Sequence, residues 1–408
     1  MIIKSLLDND LYFYNMLQFI VDQKFDKLIV GKELFLRGEY KFPLGFGKAL
    51  KEEIDSWKDL RFSDEELDFL YSRTKNWINF DFIYGYLKSY KLSPDLIKLH
   101  INRCSDSTKE DYESISLSYE GEWAKIIMFE CFLLAVMNEI YGKLTFDVKH
   151  VLNFSEISAR NSNKFQEMKD KKIQVFEFGT RRRYSFENQN LAIMQMIDYG
   201  VIKGTSNLYF AKKYDLPVFG TMAHELFSVF AAVYGVESAN YQVISKWAET
   251  FNGSLGVALT DTFTTQSFLQ HSFTRFYAKL YDGMREDSAP NTDIYVDNAI
   301  IKYSELGINP VSKKVVHSNG IDSVNLMYHL LNYRKDEIGR DLGVGTFLTN
   351  DVSREGSGKH LNSWVIKTVF AIVNGQKRYT AKLGDNPAKA TSISDKLIEC
   401  YKFLLDIK

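Results

Sequence analysis

A repeated unit between Val175 and Asp351 constrains the fold of this chain more than any other feature. Each unit has a short apolar strand, a cluster of Gly, Thr, Ser or Asp, and then an amphipathic helix. There are seven such units. The end of the candidate strand and the polar cluster that follows it fall in residues 175–180, 201–207, 217–221, 257–261, around 285, 315–319 and 342–346. Helices that alternate with short strands can cover the outside of a parallel sheet. The pattern therefore predicts an α/β fold, and we expect an irregular TIM-like α/β barrel over residues 151–359.

The segments that flank these units have a different pattern. Apolar spacing indicates mainly helical structure in the first 150 residues, with a capping box that starts at Ser63 and one long apolar helix from Trp123 to Tyr141. Further along, Asn374-Gly375 lies between two stretches rich in β-formers and predicts a hairpin. We therefore predict a second, α+β domain built from residues 1–150 and 360–408.

Charge and cysteine content limit the classes of partner. The chain has 51 Lys plus Arg against 52 Asp plus Glu, so it has no net basic field that would attract nucleic acid or an anionic membrane. Its three cysteines lack the spacing of a disulfide framework or a zinc site, and no run approaches the roughly 20 apolar residues that span a bilayer. We expect a cytoplasmic protein that binds small molecules, with any anion site built locally.

The loops after the strands of a parallel barrel converge on one face, so polar residues there can form a site. Gly-Thr pairs begin at residues 179, 204, 220 and 345, all at predicted strand ends. Glycine lets the backbone approach an oxyanion, and the amides of a following helix can donate to it. The pairs predict a phosphate or pyrophosphate site, although glycine can also simply end a strand. The candidate substrate-binding residues in these loops are Thr180, Thr205, Ser206, Thr221, Gly345 and Thr346.

Three consecutive arginines follow the first Gly-Thr pair. The planar guanidinium fork suits a carboxylate or a phosphate. Because successive side chains point in different directions, we expect only one or two of the three to face the site, and Arg181 and Arg183 are the substrate-binding candidates. The alternative is a triplet that is wholly solvated.

Three further residues are candidates for catalysis. His224 comes directly after a predicted strand, where a displayed histidine can act as an acid, a base or a nucleophile toward phosphorus. Asp261 and Asp287 also follow predicted strands, and paired carboxylates on a phosphate-binding face commonly hold Mg²⁺ or ribose hydroxyls. For Asp261 the alternative is the N-cap of a helix from Phe263 to Tyr281. The sequence has no P-loop and no Rossmann glycine motif, so ordinary versions of those nucleotide sites are unsupported.

Five motifs, taken in chain order, resemble those of nicotinate phosphoribosyltransferases. They are Phe176–Ser185, Gly204–Asn207, Gly220–Glu225, Leu259–Thr262 and Gly343–Asp351. The resemblance extends to Leu6–Tyr12, to the helix around 123–139 and to Ala381–Lys389, which is nearly the whole chain. It implies a type II phosphoribosyltransferase fold, with a second domain formed by both termini, and a homodimer with shared active sites.

The resemblance also implies an activity. A 5-phosphoribosyl group passes from phosphoribosyl pyrophosphate to nicotinate in NAD biosynthesis, giving nicotinate mononucleotide and pyrophosphate, with coupled ATP hydrolysis and Mg²⁺. His224 matches the histidine that ATP phosphorylates, which makes it the expected phosphohistidine. Tyr12, Thr221 and Arg285 match positions that contact nicotinate, and Thr346 matches the residue that holds the phosphoribosyl phosphate. Ser318, in the motif His317–Gly320, is a further substrate-binding candidate.

The chain departs from the family pattern at three places. Asp287-Ser-Ala-Pro-Asn291 stands where the family usually has Asp-Ser-Gly-Asp-Pro, so Ala289 lacks the freedom of glycine to take a positive φ. Asn319 replaces a common aspartate, and Leu226 replaces a common tryptophan. The alternatives that stay open are a phosphoribosyltransferase for nicotinamide or quinolinate, a non-catalytic barrel that binds a phosphoribosyl group or a nucleotide, and an unrelated phosphate-binding barrel such as an isomerase.

Overall fold

The computed structural model describes residues 1–105, 110–357 and 364–407. The strands in this part of the chain are β1 (Ile29–Leu36), β2 (Ile97–Ser105), β3 (Asp111–Glu122), β4 (Val175–Glu177), β5 (Ile202–Thr205), β6 (Val257–Leu259), β7 (Gly283–Glu286), β8 (Lys314–His317), β9 (Gly339–Val344), β10 (Trp364–Val373) and β11 (Gln376–Tyr379).

The α-helices are α1 (Leu11–Asp22), α2 (Phe46–Ser56), α3 (Asp64–Thr74), α4 (Trp123–Ile126), α5 (Phe129–Leu144), α6 (Phe154–Asp170), α7 (Phe186–Tyr199), α8 (Leu208–Tyr214), α9 (His224–Tyr234), α10 (Val236–Thr250), α11 (Thr265–His271), α12 (Arg275–Leu280), α13 (Thr292–Glu305), α14 (Val324–Asn332), α15 (Thr346–Thr349) and α16 (Asp395–Leu404). Within the described residues, no helix has both the length and the apolar character that a membrane span requires.

Six strands form a parallel sheet in the order β5-β4-β9-β8-β7-β6. They correspond to six of the seven predicted units, and the remaining one, Pro217–Thr221, makes only an isolated parallel bridge between Val218 and Thr205. Proline has no amide hydrogen to donate, and Gly220 takes a φ of 149°, so this segment leaves the ladder. Since no ladder in the described part of the chain runs from β5 round to β6, the expected TIM-like barrel is not confirmed.

A separate five-stranded antiparallel sheet has the order β11-β10-β1-β3-β2, so its strands come from both sides of the parallel sheet in the sequence. The predicted hairpin is confirmed, because β10 and β11 pair across Asn374 and Gly375. These two residues have φ values of 52° and 76°, the positive values that a two-residue hairpin turn needs. The predicted domain boundary between residues 359 and 360 lies outside the described residues.

The first 150 residues are less helical than predicted, because β1, β2 and β3 lie among the helices. The capping box is confirmed at α3: Ser63 Oγ accepts from the Glu66 amide at 3.2 Å, and the Glu66 carboxylate accepts from the Ser63 amide at 3.0 Å. The single helix expected from Trp123 to Tyr141 is wrong, since α4 and α5 are separate helices. Almost every residue of α5 is buried, so apolar spacing carries no sign of the break.

One apolar core joins the antiparallel sheet and the N-terminal helices to the β6–β8 side of the parallel sheet. The ring centroid of Phe19 in α1 lies 5.7 Å from that of Phe230 in α9 and 5.4 Å from that of Trp247 in α10. Burying each large apolar side chain of this kind contributes roughly 1.5–3 kcal/mol. The shared core therefore fixes α1, and with it Tyr12, relative to the ends of the parallel strands.

Candidate active site

His224 lies at the centre of a cluster of charged and polar side chains beyond the carboxyl ends of β6 and β7. It is the first residue of α9, and its side chain is 13% exposed. Its Nδ1 lies 2.9 Å from Thr262 Oγ1, while its Nε2 lies 3.0 Å from Asp287 Oδ2 and 2.9 Å from Lys382 Nζ. Thr262 follows β6, Asp287 follows β7, and Lys382 follows β11. Segments that are far apart in the sequence therefore meet at one imidazole.

The imidazole of His224 is neutral at neutral pH. Burial, together with the nearby Lys382 ammonium, lowers its pKa to about 4, although Asp261 and Asp287 act in the opposite direction. A neutral ring keeps a lone pair on one nitrogen. Because Lys382 and Asp287 both reach Nε2, this nitrogen can accept a proton from the ammonium or donate one to the carboxylate. The arrangement suits a histidine that acts as a nucleophile or carries a proton.

Asp261 and Asp287 are both held as carboxylates beside His224. Burial acts to raise the pKa of Asp261, but the charge of Lys382, together with that of His224 when its ring is protonated, outweighs it and lowers that pKa. Burial acts on Asp287 in the same sense, yet its hydrogen bond with His224, the charge of that ring when protonated, and the charges of Arg285 and Lys382 hold its pKa well below the usual range. Two negative charges therefore persist in this cluster and are balanced by neighbouring cations.

The N-cap alternative for Asp261 is wrong. Asp261 is fully buried, and its Oδ2 accepts a hydrogen bond from the Ser288 hydroxyl. The residue that caps α11 is Thr264, whose Oγ1 accepts from a backbone amide of the first turn at 3.2 Å. The helix predicted from Phe263 to Tyr281 is divided into α11 and α12. Asp261 thus belongs to the polar cluster and leaves helix capping to its neighbour.

The segment that follows β11 forms one side of the cluster. Besides Lys382, it brings Lys389, whose Nζ donates to the backbone oxygen of Asp287 at 3.2 Å. Asp385 anchors the segment, since its carboxylate accepts from both the amide and the hydroxyl of Thr265 at 2.6 Å. Two lysines are in this way held over the loop that carries Asp287.

Arg285, Ser318 and Thr221 lie around the same cluster. Arg285 Nη1 donates to the backbone oxygen of Met222 at 3.2 Å, and its buried Nε has no hydrogen-bond partner among the described residues. Ser318 Oγ donates to Asp287 Oδ1 at 3.1 Å. Thr221 Oγ1 donates to the backbone oxygen at the start of β6 at 3.1 Å. All three are partly exposed, so they can also reach a ligand.

The three consecutive arginines point in different directions because Arg181 and Arg182 lie in a short 3-10 turn and Arg183 directly follows it. Arg183 is fully buried, and its guanidinium donates to both carboxylate oxygens of Asp8 at 2.7 and 2.8 Å. The prediction that Arg183 binds substrate is therefore wrong, because this residue forms a buried ion pair. Arg182 is partly exposed, and burial, with the charges of Arg181 and Arg37, lowers its pKa to about 10, while the charge of Asp287 acts to raise it.

Arg181 lies beside Tyr12. Its Nη1 is 2.9 Å from Glu130 Oε1, and its guanidinium carbon is 5.8 Å from the centroid of the Tyr12 ring. The hydroxyl of Tyr12 is buried and has no hydrogen-bond partner among the described residues. An aromatic ring and a cation thus stand together near the end of β4. We call the region between the strand ends of β4–β5 and those of β6–β8 the cleft, so this pair lies on its β4 side.

Three predicted hydroxyl ligands are used inside the protein. Thr205 Oγ1 donates to Glu177 Oε2 at 2.6 Å, and Ser206 Oγ donates to Asp10 Oδ1 at 2.7 Å. Thr180 Oγ1 accepts from two side-chain amides at 3.1 and 3.2 Å. All three side chains are buried, so they hold the loops after β4 and β5 and do not face the open cleft.

Gly345 and Thr346, by contrast, are partly exposed where β9 ends and α15 begins. A side chain on Gly345 would come within 3.0 Å of the backbone oxygen of Phe178, so glycine allows the close approach of this loop to the loop after β4. The backbone at this strand end is therefore open to a ligand.

Residues 173–403 match the family model "Nicotinate phosphoribosyltransferase (NAPRTase) family", and residues 7–138 match the model of that family's N-terminal domain. A nicotinate phosphoribosyltransferase from Desulforapulum autotrophicum is 32% identical over 410 residues, which cover 98% of this chain and 99% of the relative. The chain belongs to the nicotinate phosphoribosyltransferase family.

Further nicotinate phosphoribosyltransferases are similar in sequence and in structure. One from Methanosarcina acetivorans is 32% identical over 97% of this chain and 96% of its own length. The crystal structure of that from Porphyromonas gingivalis gives a TM-score of 0.88 at 25% identity and covers 100% of both chains. That from Vibrio cholerae gives 0.87 at 29% identity, covering 100% of this chain and 95% of the other. The mixed α/β fold is that of the family.

Half of the site residues selected from the sequence of this family member meet in two groups. The structure brings His224, Asp261, Asp287, Arg285 and Ser318 into one cluster, and it brings Tyr12 and Arg181 together on the β4 side of the cleft. The residues of the cluster that were not selected are Thr262, Lys382 and Lys389. The motif Ala381–Lys389 contained the signal for the two lysines, because it is part of the family resemblance.

Proposed function

We propose that this protein catalyses the reaction for which its family is named, as a step of NAD biosynthesis. The ring nitrogen of nicotinate forms a bond to the anomeric carbon of phosphoribosyl pyrophosphate. The bond from that carbon to pyrophosphate breaks, and the products are nicotinate mononucleotide and pyrophosphate. The observation that carries the proposal is the contact of a neutral His224 with both Asp287 and Lys382. Further cations lie close by, at the strand ends of the family fold.

The residue types around the cleft suit the displacement of pyrophosphate by nicotinate. Charge develops on the ribose as in an oxocarbenium ion, and a pyridine nitrogen needs no general base because its lone pair is free. The protein therefore has to hold two anionic reactants in line and neutralise the leaving pyrophosphate. We assign the binding of nicotinate to Tyr12, Arg181 and Arg285, because the guanidinium forks of the two arginines fit its carboxylate. We assign the neutralisation of the leaving pyrophosphate to Lys382 and Lys389.

We further propose that ATP hydrolysis is coupled through His224. The lone pair of Nε2 attacks the γ-phosphorus, an N–P bond forms, and the P–O bond to ADP breaks. Water later cleaves the N–P bond and releases phosphate. A phosphoryl group adds up to two negative charges, which attract Lys382 and repel Asp287. Both groups contact Nε2 before the transfer, so the same step would change the electrostatics of the pyrophosphate site.

Magnesium is proposed as a part of the substrates. Mg²⁺ keeps several waters and commonly binds through substrate phosphates and only one or two carboxylates. No group of three or more His, Cys, Asp or Glu side chains forms a metal cage in the part of the chain that the structure describes. We therefore expect the ion to enter with pyrophosphate groups and with ATP.

A homodimer with shared active sites, located in the cytoplasm, completes the proposal. The family resemblance supports the dimer, and the exposed apolar side chains of Phe146, Val148 and Phe154 are our candidates for the contact between subunits. Sedimentation velocity would give the oligomeric state directly.

The experiment that tests the function compares three pyridines. Purified protein is given phosphoribosyl pyrophosphate and Mg-ATP with nicotinate, nicotinamide or quinolinate, and the mononucleotide is measured by chromatography. We expect product from nicotinate alone. Product from only one of the other pyridines would make the chain a transferase for that substrate. Stabilisation by ligands without any turnover would make it a binding protein.

A further inference from the structure

The ends of β7 and β8 carry a buried acid and a buried histidine that have no part in the proposed reaction. Glu286 and His317 are the last residues of the two strands and lie opposite each other in the ladder. Both are fully buried. The next residues, Asp287 and Ser318, are partly exposed at the cleft. Because side chains alternate along an extended chain, the buried pair lies behind the two residues that face the cleft.

The two buried side chains face each other without any other partner for the facing atoms. Glu286 Oε2 lies 3.5 Å from His317 Nδ1. Among the described residues, neither that oxygen nor either ring nitrogen of His317 has a hydrogen-bond partner. An ionised carboxylate left there without a partner would be strongly destabilising. A carboxylic acid that donates its proton to the Nδ1 lone pair gives both facing atoms a partner, and only Nε2 of the ring then lacks one among the described residues.

The surroundings favour two neutral groups. Burial raises the pKa of Glu286 to about 8, and burial lowers the pKa of His317 to about 3. The charged and titratable side chains that act on the pair from neighbouring elements are Asp261, Asp287, Asp293, His329 and Arg340. A protonated Glu286 facing a neutral His317 is the state that fits this setting.

The pair is connected to the cluster around His224 by short contacts. Glu286 Oε1 accepts from the Ala289 amide at 2.8 Å, and the backbone oxygen of Glu286 accepts from the Ser318 amide at 3.0 Å. The single hydroxyl proton of Ser318 can reach either that oxygen, at 3.0 Å, or Asp287 Oδ1, at 3.1 Å, and Asp287 contacts His224. The side chain of Glu286 therefore ties the turn that carries Asp287 to the end of β8.

We propose that Glu286 and His317 are a positioning pair, in which the Glu286 carboxylic acid donates to His317 Nδ1 and thereby holds Asp287 and Ser318 in place against His224. Neither residue touches a substrate. The rate measurements below rest on the proposed function, whereas the spectroscopic measurement does not. The pair is a property of this chain's own strand ends and is separate from the phosphoryl and phosphoribosyl transfers.

Four variants test the pair by its chemistry. In Glu286→Gln the amide can still donate to Nδ1 and accept from Ala289, so we expect kcat for mononucleotide synthesis within about threefold of wild type. Glu286→Leu and His317→Leu each remove one partner, and we expect kcat to fall about tenfold or more with little change in the KM for nicotinate, as for a misplaced catalytic group. Glu305→Gln, an exposed position on α13, is the matched control.

The double variant Glu286→Leu/His317→Leu separates positioning from stability. Two apolar side chains remove the cost of an unpaired buried polar group, so the stability lost in the single variants should return. Positioning predicts that kcat stays low even so. A double variant with kcat and stability both restored would overturn the proposal, and so would a Gln variant that is as slow as the Leu variant.

Nitrogen-15 spectra of the histidine rings provide a measurement that needs no turnover. The signal of His317 is assigned from its loss in His317→Leu. We expect a neutral ring whose Nδ1 is an acceptor at pH 7 in wild type and in Glu286→Gln. A protonated Nδ1 in the wild-type protein would overturn the pair as proposed, whether or not nicotinate is the substrate.

Discussion

The two sides of the cleft use polar side chains in opposite ways. On the β6–β8 side, Nε2 of His224 is shared between Asp287 and Lys382, so two partners of opposite charge compete for one atom. On the β4–β5 side, the hydroxyl of Thr205 and the guanidinium of Arg183 are buried in bonds that leave them no role at the surface. Satisfied buried networks make a structure rigid. Under the proposed function the first side changes its charge, whereas the second holds its loops still.

The largest expected effect concerns the side that changes its charge. His224→Ala should abolish nicotinate-stimulated ATP hydrolysis, because no other group takes the place of the Nε2 nucleophile, and should leave some uncoupled synthesis at high phosphoribosyl pyrophosphate. Release of phosphate and formation of mononucleotide are measured in parallel. His271→Ala, at an exposed histidine in α11, is the control. Full coupling in the His224 variant would remove this residue from its assigned role.

The next effect concerns the side that holds the loops. Arg183→Met leaves the Asp8 carboxylate buried without its partner, and we expect the free energy of unfolding to fall by about 3–5 kcal/mol. Urea unfolding followed by circular dichroism measures it. The matched control is Arg73→Met, which breaks the exposed pair with Asp215 and should cost about 1 kcal/mol or less. Equal losses in the two variants would contradict the assignment of Arg183 to a buried structural pair.

A pair of isosteric substitutions compares the two sides directly. Thr205→Val removes a donor to Glu177 and an acceptor for the Asn207 amide, and should lower the free energy of unfolding by about 1–3 kcal/mol. Thr262→Val removes the contact with His224 Nδ1, and we expect it to weaken ATP coupling more than stability. Unfolding and coupled ATP hydrolysis are measured on both. The same profile from both variants would erase the distinction between the two sides.

The smallest effect is a change in proton uptake. Burial, together with the charges of Lys382 and Arg181, lowers the pKa of Lys367, in β10, to about 7, although Glu130 acts to raise it. A bound anion favours the ammonium and raises this pKa, so pyrophosphate binding should take up as much as one proton between pH 7 and 9 and weaken as pH rises through that range. Calorimetry in two buffers of different ionisation enthalpy measures the uptake. Lys367→Met should lose this component, and equal uptake by the variant would contradict it.

The sequence predicted the convergence of the strand ends but not the direction of each side chain. The repeated unit correctly placed Asp261 and Asp287 after parallel strands, because strand ends of a parallel sheet share one edge. His224 was placed after a strand too, but the segment before it makes only an isolated bridge. The three-residue turn at Thr180–Arg182 decides which arginine faces inward, and no periodic signal encodes it. The inward hydroxyl of Thr205 is likewise fixed by a tertiary partner, the buried Glu177.

Lys382 and Lys389 were harder to predict for a different reason. They follow a hairpin in a segment without helical or strand periodicity, and they reach His224 and Asp287 only because β10 pairs with β1 in the other sheet. Contacts between two sheets depend on the packed core and are not visible in local patterns. The barrel prediction failed in a similar way, because Pro217 and Gly220 interrupt a strand that apolar spacing alone suggests.

The pairing of β10 with β1 also sets the order in which the site can be completed during synthesis. Lys382 and Lys389 follow every other residue of the cluster in the chain, and they come into place behind a strand that must find a partner made much earlier. A ribosome-bound chain that ends before this segment already contains every strand of the parallel sheet yet lacks both cations. Such a nascent chain would carry the imidazole without its ammonium neighbour, and turnover would begin only after the late strand has docked.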